Sequence, residues 1–281
     1  MVNITKVWLV TLNRDEEDAG IGGHFNMVNL TVNIDGVDLF ENDHTVSSKR
    51  GCGAIGEGFP EPAIGQLFDS NLITNSSIRL GMRQDDAWMP EHILVLGITA
   101  PPEGQSRVLP LAIELDQQIT VSTDVGDAHP AHLSLPVRIV DAGNISTMIR
   151  RVLLVVQTYK SDGSGTDDPI EIEITVGGAT VARREITSTT QDDFEPGATN
   201  WYFVDVDTPF TKAQIQSNGK IAMTIKADDA WNPKTIFVHG LDTSQGRPTQ
   251  IVDLVSFPTW DGGQFSTDTS EGEASKVLSL S

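Results

Sequence analysis

The segment Gln84 to Gly97, QDDAWMPEHILVLG, returns as Ala227 to Gly240, ADDAWNPKTIFVHG, 143 positions later with its spacing intact. In both copies an Asp-Asp pair precedes an aromatic residue and a proline, and an apolar segment then runs on to a glycine. The likeness extends along the chain. VWLVTL (7–12) matches VLLVVQ (152–157), and each is followed by a loop rich in glycine and acid, 15–23 and 162–168. NLTVNIDG (29–36) matches EIEITVGG (171–178), and Ser122-Thr123-Asp124 matches Ser266-Thr267-Asp268. A period this long exceeds any solenoid repeat and fits two whole domains in tandem.

The 281 residues are therefore expected to divide into a first domain over 1–125, a connecting segment over 126–147, a second domain over 148–268 and a tail over 269–281. Each half is long enough to bury its own core. Alternation with period two dominates: Leu30, Val32 and Ile34; Ile78, Leu80 and Met82; Ile170, Ile172 and Ile174; Ile221, Met223 and Ile225. No amphipathic stretch exceeds two helical turns, and clusters of Gly, Pro, Asn, Asp and Ser separate the runs. That pattern predicts an all-β chain of two antiparallel sandwiches. Within the connecting segment, Leu133 to Val140 reads as a further strand.

The chain carries 39 acidic and 19 basic residues, a formal charge of −20. Phosphate backbones would be repelled, so nucleic acid is not an expected partner. Cations are the natural counterpart, although solubility or adaptation to salt would select the same composition. The one cysteine, Cys52, lies between two glycines, which excludes an intrachain disulfide and a Cys-based zinc cluster and reads as a small residue in a tight loop. The start of the sequence lacks a signal-peptide pattern and no segment has the length of a membrane span, so a soluble protein is expected, cytoplasmic or a mature secreted form. G-x-S-x-G, the P-loop and a strand-linked G-x-G-x-x-G are all missing, so the expectation is a protein that is not an enzyme. His129 and His132 flank Pro130 with no further ligand at a supporting distance, and they read as loop residues.

Calcium takes six to eight oxygen ligands, so loops that converge at one end of a sandwich are the place to look. The second copy offers Asp162 with Gly165, Thr166, Asp167 and Asp168; then Asp192 with Asp193; then Asp228 with Asp229. Each cluster lies beside an expected strand. Asp also favours turns for its own sake, so the clusters have a purely structural reading as well.

Taken together, GTDD (165–168), DDFEPG (192–197) and DDAWNPKTIFV (228–238) resemble the PLAT/lipoxygenase-homology sandwich, in particular the membrane-binding C-terminal domain of alpha-toxin-type bacterial phospholipases. The resemblance implies an eight-stranded antiparallel sandwich that binds lipid surfaces or protein partners, with Ca²⁺ on its loops. It implies backbone oxygens of Gly165 and Ala230 and a carboxylate of Asp229 on one ion, with Thr166, Asp167, Asp192 and Asp193 serving neighbouring ions. The acidic residue that the family places two before the loop glycine falls here on Gly163, with Asp162 one place earlier. In the first copy Asp18, Gly20, Asp86 and Ala87 carry over. Its first loop is longer, and the middle acidic pair is replaced around GCGAIGEGFPEPAIG (51–65). The phospholipases' His-rich catalytic domain has no counterpart here.

Trp88 and Trp231 follow Asp-Asp-Ala at equivalent positions, where an indole would either cover the end of the core or sit at a headgroup layer; a strand-flanking position favours the core. Phe59 and Trp260, in stretches that read as loop, are the candidate membrane or partner contacts. The function expected from these features is calcium-dependent docking of a tandem sandwich protein to a membrane or protein surface. The alternative is a structural or assembly protein without calcium dependence.

Overall fold

The computed structural model describes residues 2–17, 19–21, 27–34, 37–49, 51–57, 67–68, 77–82, 86–99, 108–124, 126–137, 146–186, 194–244 and 250–281. The chain divides into two compact units, Met1–Asp141 and Ala142–Ser281. Unit 1 contains β1 (Val2–Asn13), β2 (Met27–Ile34), β3 (Val37–Thr45), β4 (Gly53–Glu57), β5 (Leu67–Phe68), β6 (Ser77–Met82), β7 (Ala87–Trp88), β8 (Pro90–Thr99), β9 (Val108–Glu114), β10 (Val121–Ser122) and β11 (His132–Pro136). Unit 2 contains β12 (Met148–Thr158), β13 (Ile170–Val176), β14 (Ala179–Ile186), β15 (Thr199–Thr211), α1 (Lys212–Asn218), β16 (Gly219–Ile225), β17 (Ala230–Trp231), β18 (Pro233–Asp242), β19 (Gln250–Phe257), β20 (Phe265–Ser266) and β21 (Ser275–Leu278). The protein is all-β, with antiparallel pairing throughout its named strands.

The same sheet order occurs twice. Unit 1 has β4-β1-β8-β9, with β5 also on β1, opposite β11-β6-β2-β3 and a short β10-β7 ribbon. Unit 2 has β15-β12-β18-β19, opposite β14-β13-β16-β21 and a β17-β20 ribbon. Registers agree residue for residue. Val7 faces Gly97 as Val152 faces Gly240. Leu80 faces Leu133 as Met223 faces Lys276. Trp88 faces Val121 as Trp231 faces Phe265. Even the irregularity beside Val95 and Leu96 recurs beside Val238 and His239. A one-residue slip would turn every core side chain outward, so such agreement marks one frame used twice.

Alternation explains how each frame closes. Leu9, Leu30, Leu80 and Val95 enter the core of unit 1, and their counterparts Leu154, Ile172, Met223 and Val238 enter that of unit 2. In β1, β8, β12 and β18 the opposite face is buried as well, with Val10, Leu94 and Leu96 in unit 1 and Leu153, Val155 and Phe237 in unit 2. Burial of both faces is why these strands read as unbroken apolar runs while their neighbours alternate.

Two segments placed outside the sandwiches by the sequence supply strands. β11, from the expected connecting segment, pairs with β6 and buries Leu133 and Leu135. β21, from the expected tail, pairs with β16 and buries Leu278. The strand expected over 133–140 is His132–Pro136; residues 138–140 lie outside the described set.

Candidate functional site

At one end of each unit four backbone hydrogen bonds bracket three loops. In unit 2, Thr158 N–H donates to Ala198 O, Tyr159 N–H to Asn232 O, Gly197 N–H to Tyr159 O and Asn232 N–H to Ser164 O, at 2.9 to 3.1 Å. In unit 1 the donors and acceptors are Asn13 to Cys52, Arg14 to Met89, Gly51 to Arg14 and Met89 to Ala19. The bracket fixes the loop after the first strand against the other two. Gly165 is the contact point in unit 2, since a Cβ there would lie 2.8 Å from both Phe194 O and Pro196 Cδ.

This arrangement brings part of the expected calcium set together. The Asp168 carboxylate accepts the Asp229 N–H at 2.7 Å, joining the first and third loops. Asp162, Asp167 and Asp229 are exposed, whereas Gly165 and Ala230 are half-buried. Thr166 is buried and its hydroxyl accepts the Asp168 N–H at 3.0 Å, so it stabilises the turn that aims Asp168. Gly163 takes a left-handed φ of 73°, which lets the chain reverse between Asp162 and Gly165. Asp192 and Asp193 lie outside the described residues, as does Asp18.

Unit 1 has the bracket with less acid on it. The stretch opposite the loop of Phe194 to Ala198 is Ser48 to Cys52, not the longer segment 51–65 expected from the sequence, because β4 begins at Gly53 and pairs with β1 as β15 pairs with β12. Counting back by the same interval sets Val46 and Ser47 opposite Asp192 and Asp193, and Val46 is buried. Gly20 occupies the place of Gly165, with a Cβ position only 2.3 Å from Ser48 C. Asp86 is half-buried and its carboxylate caps its own neighbour, accepting the Ala87 N–H at 2.8 Å.

Trp88 and Trp231 belong to the cores. Trp260, expected at an exposed loop tip, does too: it is 7 % exposed, packs against Phe257 and Phe265, and donates its indole N–H to Gly263 O at 2.7 Å. The chain returns with Gly262 close against the ring and the Gly263 carbonyl on its N–H, a fold-back that loop composition does not reveal. Phe59 lies outside the described residues.

Two polar groups escaped the sequence reading. Glu91, His92 and Asp116 in unit 1 bring one ligand atom each within 4.8 Å of one another, the only such set of three among the described residues. Neighbours in a strand point apart by default, which hid Glu91 and His92 as a pair. In unit 2, His239 Nδ1 lies 3.5 Å from Asp253 Oδ1, the Ser256 hydroxyl donates to Asp253 at 2.5 Å, and Lys212 Nζ donates to Asp253 O at 2.7 Å. Burial, then Lys212, holds His239 down to about 3, while burial pushes Asp253 up to about 6. The imidazole is thus neutral at ordinary pH.

A scan against protein-family models matched none, and a search of curated proteins returned no significant match. Among the described residues no helix is long and apolar enough to cross a membrane.

Proposed function

We propose that this chain is a non-enzymatic calcium-binding protein, a tandem of PLAT-like sandwiches whose loop ends dock to a membrane or protein surface once cations are bound. The observation that carries the reading is the convergence in unit 2: Asp168 clamped to the Asp229 N–H, with exposed Asp162, Asp167 and Asp229 on the bracketed loops. What supports the reading in unit 2 is a pair of facing four-stranded antiparallel sheets with the first and third acidic loops held together at one end.

Exposed carboxylates on anchored loops suit Ca²⁺, which accepts variable oxygen geometry and completes its shell with carbonyls and water. Asp229 and Asp167 would supply charge, Gly165 and Ala230 backbone oxygen, and Asp168 would position the third loop. A chain of charge −20 is repelled by an anionic surface until cations neutralise its contact face, so docking would depend on calcium. With Trp260 in the core, this electrostatic step bears the docking.

Calorimetric titration of EDTA-stripped protein with Ca²⁺, and with Mg²⁺ as the control, tests the reading. Saturable Ca²⁺-selective heat that Asp229→Asn reduces is the expected result, followed by Ca²⁺-dependent sedimentation with phosphatidylserine vesicles or capture of a protein partner. Absence of binding up to millimolar Ca²⁺ would sink it and leave the structural or assembly role, for which large particles in calcium-free light scattering would be the positive sign.

A further inference from the structure

The geometry points to a second, chemically different metal site in unit 1, built from Glu91, His92 and Asp116 and suited to a zinc-class divalent ion. The site begins with an irregularity in β8. Its pairing with β1 passes from His92 opposite Leu12 to Pro90 opposite Asn13, so Glu91 is an extra residue in the strand. Such a bulge re-aims side chains that regular alternation would send to opposite faces. Asp116, just after β9, completes the set from a left-handed backbone with φ 55°, a conformation Asp tolerates better than most residues. Its N–H donates to His92 Nδ1 at 3.1 Å, and the next residue, Gln117, donates its N–H to Glu91 O at 2.8 Å. The loop is therefore tied to both strand residues. His92 is 5 % exposed, Glu91 half-buried and Asp116 exposed, which gives a nitrogen at the base and carboxylates toward solvent.

The donor set selects the ion. Ca²⁺ and Mg²⁺ take oxygen ligands, whereas an imidazole with two carboxylates fits Zn²⁺ and its neighbours, with water filling the open position. Ligands of a tetrahedral zinc ion lie about 3.4 Å apart. From a mutual separation within 4.8 Å, side-chain rotation can close the set, with the ion taking the Nδ1 lone pair now occupied by the Asp116 N–H.

Unit 2 is an internal control. It repeats the bulge, from Thr235 opposite Gln157 to Pro233 opposite Thr158, and the tie, Trp260 N–H to Lys234 O at 2.8 Å. Yet it carries Lys234, Thr235 and Thr259 where unit 1 carries Glu91, His92 and Asp116. The bulge and the tie form without the ligand residues, so packing does not require Glu91 or His92, while the left-handed backbone of Asp116 is not repeated at Thr259.

The test is titration of the full, metal-stripped chain with Co²⁺, read by visible absorption, and with Zn²⁺, read by calorimetry, in millimolar Ca²⁺ to fill oxygen-only sites. One equivalent of Co²⁺ should bind with the intense bands of a four- or five-coordinate ion and be displaced by Zn²⁺. His92→Ala and Asp116→Asn should each weaken binding by more than about tenfold. The triple variant Glu91→Lys, His92→Thr, Asp116→Asn, which copies unit 2 at the two strand positions and keeps a residue suited to the left-handed backbone at the third, should abolish binding while the far-ultraviolet circular dichroism stays unchanged. Asp229→Asn should have no effect, which separates this site from the calcium loops. The proposal is overturned by no saturable Co²⁺ or Zn²⁺ binding, by binding that persists in the folded triple variant, or by loss of binding in a His129→Ala, His132→Ala double variant. Asp116→Asn keeps a residue that tolerates the left-handed backbone and decides the matter if His92→Ala does not fold.

Discussion

In unit 1 the indole of Trp88 donates to the Asn13 side chain at 2.9 Å, and in unit 2 the indole of Trp231 donates to the Thr158 hydroxyl at 3.0 Å. Both rings are fully buried, and both partners are the last residue of the long first strand of their unit. Around the rings the two units part. Trp231 packs against Phe194 at 5.0 Å and Phe265 at 5.3 Å between ring centroids, whereas the corresponding places in unit 1 hold Ser48 and Val121. The two copies keep the hydrogen bonds that fix the loop end and differ in what fills the space behind them. Polar ties demand defined geometry, while apolar volume can be filled in several ways.

The largest effect follows from that contrast. Trp231→Ala and Trp88→Ala should each destabilise the chain by about 3 to 5 kcal/mol, a range set by the lost volume of a buried aromatic side chain. Trp231→Ala should cost more, by about 0.5 to 1.5 kcal/mol per aromatic pair lost. Urea unfolding of the two variants measures the gap; a larger cost at Trp88 would break the comparison.

These differences also show what the sequence could tell. The duplication, the all-β class and the buried tryptophans follow from spacing and alternation, because a repeated frame repeats its core positions. GCGAIGEGFPEPAIG (51–65) reads as loop throughout, yet Gly53–Glu57 is strand β4 and the middle loop of the first copy ends at Cys52. Glycine's weak strand preference was overridden there by pairing with β1, where the core fixes the register. Trp260 reads as exposed for a related reason: its neighbours are turn residues, and only the fold-back places its ring on Phe265. Glu91 with His92, and His239 with Asp253, depend on a bulge and on cross-strand pairing, neither of which has a local sequence signature.

The pair at His239 and Asp253 sharpens the comparison in a pH-dependent way, for the same cross-strand position in unit 1 is Leu96 and Pro110. Asp253 has its carboxyl pushed from 3.8 up to about 6 by burial, so the native chain takes that proton more readily than the unfolded chain. Its ionised form therefore costs stability above about pH 6, on the order of 3 kcal/mol, and the cost fades as pH falls toward 3.8. His239 runs the other way. With its pKa lowered from 6.5 to about 3, the native chain loses stability as pH falls below 6.5, where the unfolded imidazole gains a proton. Between about 6 and 3.8 the two slopes oppose each other and this pair should leave stability nearly flat. Asp253→Asn should stabilise the protein at pH 8, with the gain lost at about 1.4 kcal/mol per pH unit as pH falls below 6. His239→Leu, which copies unit 1, should instead gain in relative stability as pH falls below 6.5. Urea midpoints at pH 8 and pH 4.5 decide; differences from the wild type that do not change with pH would remove the linkage.

A smaller effect is expected at the loop contacts. Neither Gly20 nor Gly165 has a left-handed backbone, so a side chain is excluded by space alone. At Gly20 the new carbon would meet Ser48 C at 2.3 Å and Lys49 N at 2.8 Å, all backbone, while at Gly165 the nearest atoms are at 2.8 Å and one belongs to a proline ring. Overpacking costs about 1 to 3 kcal/mol, and Gly20→Ala should fall at the upper end with Gly165→Ala at the lower. Gly165→Ala carries a second readout. It should weaken Ca²⁺ binding without removing a carboxylate, because it displaces the loop that aims Asp167 and Asp168. Unchanged calcium heat in a folded Gly165→Ala protein would show that the ligands do not depend on this contact.

The smallest effect concerns α1, an element with no counterpart among the described residues of unit 1. Thr211 caps it: its hydroxyl accepts the Gln214 N–H at 3.2 Å and the Gln214 side chain accepts the Thr211 N–H at 2.8 Å. Lys212, at the first helical position, opposes the helix dipole, and the hydrogen bond from its Nζ to Asp253 O at 2.7 Å offsets that cost while tying the helix to β19. Thr211→Ala should lower stability by about 1 kcal/mol, and Thr211→Ser should restore most of it. Because the cap sets where Lys212 enters the buried pair, the loss in Thr211→Ala should shrink when Lys212 is already Met. A double-mutant cycle on the two positions measures this coupling, and strict additivity would mean that the cap holds the helix without holding the lysine.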